Sequence, residues 1–254
     1  MPYLVREAQL PRFLERFPRA TSLGAFLRET GTPLLLGAPL QPEGAAGYEN
    51  AALLLSPDGR LLGRYGKQQL VPIAERVPFW RVEAVRRFFE TALGLTEGWT
   101  PGRGPVVQAV PLAAGRQARV ATPICFEDAF PDLCRRLVRS GAEVLVNMTN
   151  VSWSRRASAM VQMIVAARFR SVENGCALIR ATNGGVSAVI DPRGQIVASL
   201  PLFEPGFLRI EVPVYQGAGR TPYAVFGDLL PLGLAVALAL GLAARLLQEL
   251  RRPA

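Results

Sequence analysis

The sequence predicts an α/β domain with mixed sheets, followed by one C-terminal transmembrane helix. Three observations point there. Apolar strand-like runs alternate with helix-like stripes, which calls for parallel strands joined by crossovers. Two pairs of runs flank Pro-x-Gly turns, which calls for antiparallel hairpins. Near the C-terminus, residues 229–244 (LLPLGLAVALALGLAA) carry no charge.

Taken in order, residues 33–39 (PLLLGAP) suit a short buried strand. Residues 49–55 and 60–65 flank Ser56-Pro57-Asp58-Gly59 and read as a hairpin. Residues 117–124, 143–148 and 176–182 are strand-like, and residues 186–190 and 195–200 form a second hairpin around Asp191-Pro192-Arg193-Gly194. Phe130, Leu133, Cys134, Leu137 and Val138 fall on one helical stripe, with Gly141 placed to cap its end. Residues 157–174 form a second helix, with Met160, Met163, Ile164 and Ala167 on one face and Gly175 after it. The two hairpins suggest two similar halves, packed sheet on sheet with helices outside. At the C-terminus, Asp228 and Arg245 bound the uncharged run, and Leu246 and Leu247 extend it past a snorkelling arginine. A span needs about 17–25 residues, so this is a short membrane segment, with a buried core helix as the other reading. Arg245, Arg251 and Arg252 follow it, which places the tail in the cytoplasm and the body outside.

Composition narrows the chemistry. The chain has 254 residues, a formal net charge of +9 and no histidine. That excludes a Ser-His-Asp triad, a Cys-His dyad and metal sites built on imidazole. Lys67 is the single lysine among 29 basic residues, so any lysine chemistry falls to it. Three cysteines do not make a disulfide framework, and no C-x-x-C zinc pattern is present. The arginines are spread along the chain without a dense aromatic-interleaved run, so nucleic acid is not the expected partner.

Cys125 follows the apolar run Val120-Ala121-Thr122-Pro123-Ile124 and precedes Phe126-Glu127-Asp128 and a helix. A side chain at such a strand-to-helix turn is exposed, and the N–H groups at the helix start favour an anion. The competing reading is a small buried cysteine, which suits Cys134 and Cys176 better. Lys67 ends the first hairpin; a compact ammonium fits a small oxyanion hole where the arginine fork does not. Its other reading is a residual surface lysine. Glu7 and Glu75, each taken alone, read as solvated carboxylates.

Together these segments resemble the nitrilase (carbon-nitrogen hydrolase) superfamily, whose members use a Glu-Lys-Cys triad without histidine. The match is closest to the catalytic domain of the apolipoprotein N-acyltransferase family. It rests on Tyr48-Glu49-Asn50-Ala51 with its hairpin, Gly63 to Lys67 running on to Leu70-Val71-Pro72 and Glu75, and Ile124-Cys125-Phe126-Glu127-Asp128. It continues through Ala167-Arg168-Phe169-Arg170 with Glu173-Asn174, Arg180-Ala181-Thr182-Asn183-Gly184, and Thr221-Pro222-Tyr223-Ala224 with Gly227-Asp228. The resemblance implies a nitrilase-like αββα sandwich over residues 1–222, with a transmembrane segment and basic tail over 223–254. It implies Glu7 as general base, Lys67 as oxyanion-stabilising lysine and Cys125 as nucleophile. Glu75 matches a glutamate that positions the lysine, Glu127 an acidic residue beside the nucleophile, and Phe126 a position often held by tyrosine. Trp153 matches a tryptophan near the lipid entrance.

The reaction so implied moves an acyl chain from a phospholipid, through a Cys125 thioester, to the α-amine of a lipoprotein's diacylglyceryl-cysteine. It needs no cofactor and no metal. The setting is a bacterial-type inner membrane, with the catalytic domain on the extracytoplasmic side. Glu7 lies close to Met1, so the family's membrane helices are expected upstream, in a separate N-terminal membrane subunit, or lost from this copy. Two alternatives stay open: a nitrilase-type amidohydrolase acting on a small amide, and a catalytically degenerate membrane-bound fragment.

Overall fold

A computed structural model describes residues 5–15, 22–45, 47–76, 79–80, 82–93, 99–151, 156–215 and 217–250. The first sheet holds β1 (Val5–Arg6), β2 (Leu34–Gln41), β3 (Glu49–Leu55) and β4 (Leu61–Gly66) in that spatial order. β1 runs parallel to β2, and the next two pairings are antiparallel. The second sheet holds β5 (Gln108–Pro111), β6 (Gln117–Ala121), β7 (Val144–Asn150), β8 (Ala177–Asn183), β9 (Ala188–Ile190) and β10 (Ile196–Ser199). Its spatial order runs from β10 through β9, β8, β7 and β6 to β5. The central strands β6, β7 and β8 are parallel, and both edges are antiparallel. Both expected hairpins form, one in each sheet.

The helices are α1 (Leu10–Glu15), α2 (Leu23–Thr30), α3 (Glu83–Leu93), α4 (Pro131–Arg139), α5 (Ala157–Asn174), α6 (Pro222–Phe226) and α7 (Leu229–Leu250). Alternation along the strands builds the layers. Ala51, Leu53 and Leu55 of β3 pack with Leu10, Leu14 and Leu27 from α1 and α2. Val144 of β7 packs with Ala118 and Val120 of β6 and against Leu35 of β2, which joins sheet to sheet. Leu145, on the other face of β7, packs with Leu133 and Leu137 of α4 and Ile164 and Ala167 of α5. The result is helix, sheet, sheet, helix, the layering expected of the αββα sandwich.

Local chemistry sets several boundaries. α5 ends at Gly175, whose φ of +63° closes the helix. β6 stops at Ala121, short of the expected residue 124, because Thr122-Pro123 follows and proline has no N–H to donate. α4 is capped by Ser140, with Gly141 one residue beyond. Strand β5 and helix α3 lie outside the signals read from the sequence.

The expected transmembrane segment requires correction. It is helical, as α7, with leucines more than half exposed along its length. Among the described residues, however, no helix is long and apolar enough to cross a membrane. The physical reason is the charge at Arg245. The sixteen uncharged residues before it rise only ~24 Å at 1.5 Å each, against a hydrocarbon core of about 30 Å.

Candidate active site

The carboxyl ends of the parallel strands carry the site, where open α/β sheets commonly bind ligands. Beyond β6, Ile124 makes an isolated parallel bridge to Met148 of β7. Cys125 follows with φ +56° and opens a 3₁₀ turn over Cys125–Ala129. A left-handed backbone costs a non-glycine residue about 1–2 kcal/mol, so the surroundings must hold it. Asn147 of β7 does so from below, donating its amide to Cys125 O at 2.7 Å and to Pro123 O at 3.1 Å. Cys125 is half-buried, whereas Cys134 and Cys176 are fully buried. Burial pushes both of those thiols up, that of Cys176 to about 12, so they stay protonated.

Lys67 leaves the end of β4 with its N–H on Asn50 O at 2.8 Å, and its own carbonyl accepts from Gly102 N at 2.8 Å. That crossing needs glycine: a Cβ on Gly102 would stand 2.1 Å from Gly66 O. The Lys67 side chain is 1% exposed, and its Nζ lies 2.6 Å from Glu75 Oε2. The same carboxylate oxygen accepts Val71 N at 2.8 Å, which curls the loop so that Glu75 faces back to the lysine. A buried ammonium without a counter-charge costs several kcal/mol, and Glu75 supplies that charge. The ammonium also stands 5.5 Å from the centroid of the Phe126 ring, next in sequence to Cys125.

Glu127 fastens the two halves together. Its fully buried carboxylate accepts Gln68 N at 2.7 Å and Gln69 N at 2.9 Å through Oε1. Through Oε2 it accepts Ile124 N at 2.7 Å and the Tyr65 hydroxyl at 3.0 Å. Burial pushes the Glu127 carboxyl up, against the pull of the three backbone N–H groups and of Tyr65. Burial also raises the Tyr65 hydroxyl, which keeps its proton and donates. All four partners are donors, an arrangement suited to the ionised carboxylate.

The Phe126 ring and the Glu127 carboxylate therefore tie the turn that begins at Cys125 to the loop that carries Lys67 and Glu75. Glu7 does not join them in this arrangement. Its Oε2 accepts Glu43 N at 3.1 Å and lies 3.7 Å from Arg64 Nη1, which is also 3.5 Å from Glu49 Oε2. No hydrogen bond or ion pair links Glu7 to Lys67 or Cys125 among the described residues. Trp153 lies outside the described residues. Among those described, no group of three or more Cys, Asp or Glu side chains is placed to hold a metal ion. Tyr65, Asn147, Asp128 and Arg180 belong to the site's surroundings without having been singled out for a role in the sequence. The available signal was a lone charge, Arg180, within an apolar strand.

Residues 7–217 match the family model described as carbon-nitrogen hydrolase. The chain belongs to the carbon-nitrogen hydrolase family. Among curated members, it is 47% identical over 214 residues to apolipoprotein N-acyltransferase 2 of Treponema pallidum, covering 83% of this chain and 38% of that protein. It is 46% identical over 207 residues to the protein of the same name from Treponema denticola, covering 82% of this chain and 39% of that one. The chain thus spans well under half the length of these relatives. Among solved structures, an amidase from Nesterenkonia sp. AN1, with acrylamide added at its active site cysteine, superposes with a TM-score of 0.58 at 23% identity. That match covers 82% of this chain and 71% of the amidase, and it supports the carbon-nitrogen hydrolase fold.

Proposed function

We propose that this carbon-nitrogen hydrolase chain performs acyl transfer of the apolipoprotein N-acyltransferase type, with Cys125 as nucleophile. The Cys125 thiolate attacks the ester carbonyl of a phospholipid. Lys67 Nζ and the N–H of Phe126 stabilise the oxyanion, a contribution of about 3–4 kcal/mol per donor in other enzymes. Collapse expels a lysophospholipid and leaves a Cys125 thioester. The α-amine of a diacylglyceryl-cysteine then attacks, an amide forms, and the thiol is released. Glu75 holds Lys67 in position, and Phe126 covers its ammonium. Glu7 is the reading's general base, taking the thiol proton and returning it to the leaving oxygen. To do so its carboxylate must turn away from Glu43 N and Arg64, a tightening that substrate binding commonly brings. Trp153 would contact the lipid.

The observation that carries acyl transfer over hydrolysis is α7. A 22-residue helix with an exposed leucine surface continues from the catalytic domain. Against lipid that surface would be satisfied, and it would hold the site beside substrates that never leave the bilayer. Arg245, Arg251 and Arg252 suit the anionic headgroups of such a membrane surface. The fold shared with an amidase favours a second reading, hydrolysis of a small amide, in which water resolves the thioester.

The test is intact mass of the detergent-purified chain after incubation with phospholipid. The expected result is a hydroxylamine-labile acyl adduct that is absent from Cys125→Ala. An adduct that persists in the variant overturns the nucleophile. Free acid and ammonia released from an amide, with no adduct from phospholipid, transfers the assignment to the amidohydrolase.

A further inference from the structure

Cys125 O and the N–H of Phe126 belong to the same peptide group. Among the described residues no peptide bond is cis. That carbonyl and that N–H therefore point in opposite directions across a rigid plane. A group that grips the oxygen also aims the N–H. Asn147 of β7 is that group: its side-chain amide donates to Cys125 O at 2.7 Å and to Pro123 O at 3.1 Å.

The grip is itself fixed. Asn147 is fully buried, on a strand that lies between β6 and β8. Ile124 bridges to Met148, the next residue of β7, which holds the turn against the strand. Asn147 Oδ1 is buried without a hydrogen-bond partner among the described residues. Turned over, the amide would set that oxygen against two carbonyl oxygens and leave its N–H donors unpaired. The two backbone carbonyls thus decide which way the amide faces.

The other end of the peptide is free. Glu127 N opens the hydrogen bonding of the turn, on Ile124 O at 3.2 Å. The Phe126 N–H precedes it and is one of the donors that a helical start leaves without a partner. The ring of this same residue faces the Lys67 ammonium. Cys125 has φ +56°, so regular helix geometry does not set its peptide. If that peptide turned over, its N–H would face the Asn147 amide, donor against donor. Its carbonyl oxygen would then face the side where negative charge develops.

We propose that Asn147 is a positioning residue for acyl transfer: by holding Cys125 O, it aims the Phe126 N–H at the oxyanion. The inference rests on Cys125 as nucleophile and on the Phe126 N–H as an oxyanion donor. Asn147 binds no substrate atom in this scheme; it acts through the peptide plane.

The experiment compares two reactions of the same sulfur in the full detergent-solubilised chain. p-Nitrophenyl acetate acylates Cys125: the C–S bond forms, the carbonyl electron pair moves onto oxygen, and collapse expels nitrophenolate, which is read by absorbance. Iodoacetamide alkylates Cys125 by displacing iodide, without an oxyanion, and is read by peptide mass. Asn147→Leu keeps the size and removes the donor. Its acylation rate should fall roughly 10–100-fold, because outright loss of an oxyanion donor costs about 10²–10³. Its alkylation rate should be unchanged. A merely structural asparagine would loosen the turn and slow both reactions together. Acylation slowed at least roughly tenfold more than alkylation supports the proposal, and any smaller difference overturns it. Asn147→Ala is read in the same way and replaces Asn147→Leu where the leucine variant does not fold. Nitrophenolate release that is absent from the wild-type chain, or unchanged in Cys125→Ala, is a separate failure, that of the nucleophile assignment.

Discussion

Glu127 accepts four hydrogen bonds at a point with no access to water, and the donors come from Tyr65, Gln68, Gln69 and Ile124. Glu127→Gln would put an NH₂ group where a donor already points. An unsatisfied buried donor costs about 1–3 kcal/mol, so the variant should lose that much stability in urea unfolding. Because the same residue joins the Lys67 loop to the Cys125 turn, its acylation rate should fall further than its stability. A variant with wild-type stability and rate would show the network to be dispensable. Sequence signals reached Glu127 only as an acidic neighbour of the nucleophile. Gln68 and Gln69 lie 59 and 58 residues away, and no local pattern records such a partnership.

At the scale of elements, the readable parts are those whose cause is local. The first hairpin is set by Ser56-Pro57-Asp58-Gly59, with Gly59 at φ +81°, and the strands on either side pair as expected. α5 is bounded by its own apolar face and by Gly175. α6 begins at Thr221-Pro222, an N-cap residue followed by proline in the first turn. There the Thr221 hydroxyl accepts Ala224 N at 3.0 Å and donates to Glu173 O of α5. Thr221→Ala should therefore cost about 1–2 kcal/mol in denaturant unfolding, and Thr221→Ser should recover most of it. Equal stability of all three proteins would show that the cap is not used. α3 was not legible in the same way. Its residues are largely exposed, so no buried stripe marks it out. β5 is four residues long and owes its existence to pairing with β6.

At the scale of the molecule, α7 exposes a run of leucines, Leu229, Leu230, Leu232, Leu234, Leu238, Leu240 and Leu242. If they meet lipid, the chain should float with phospholipid vesicles in a density gradient. Replacing an exposed leucine by a carboxylate forfeits about 2 kcal/mol or more of apolar burial, so Leu238→Glu should lower the vesicle partition constant at least roughly tenfold. Flotation unchanged by that substitution would detach α7 from membrane binding.

Composition alone decided what chemistry was open. No histidine excludes imidazole-based triads and dyads, and one lysine confines lysine chemistry to Lys67, however the chain folds. Local patterns likewise decided most strands, both hairpins and α5, because turn preference and periodicity act over a few residues. Tertiary structure decided which carboxylate stands where. Glu75 meets Lys67, Glu127 clasps the nucleophile turn, Asp128 meets Arg180, and Glu7 turns to Arg64. The reason is physical: a carboxylate is ordinary in sequence and acquires a role only from the donors, cations and burial that packing brings to it from distant parts of the chain.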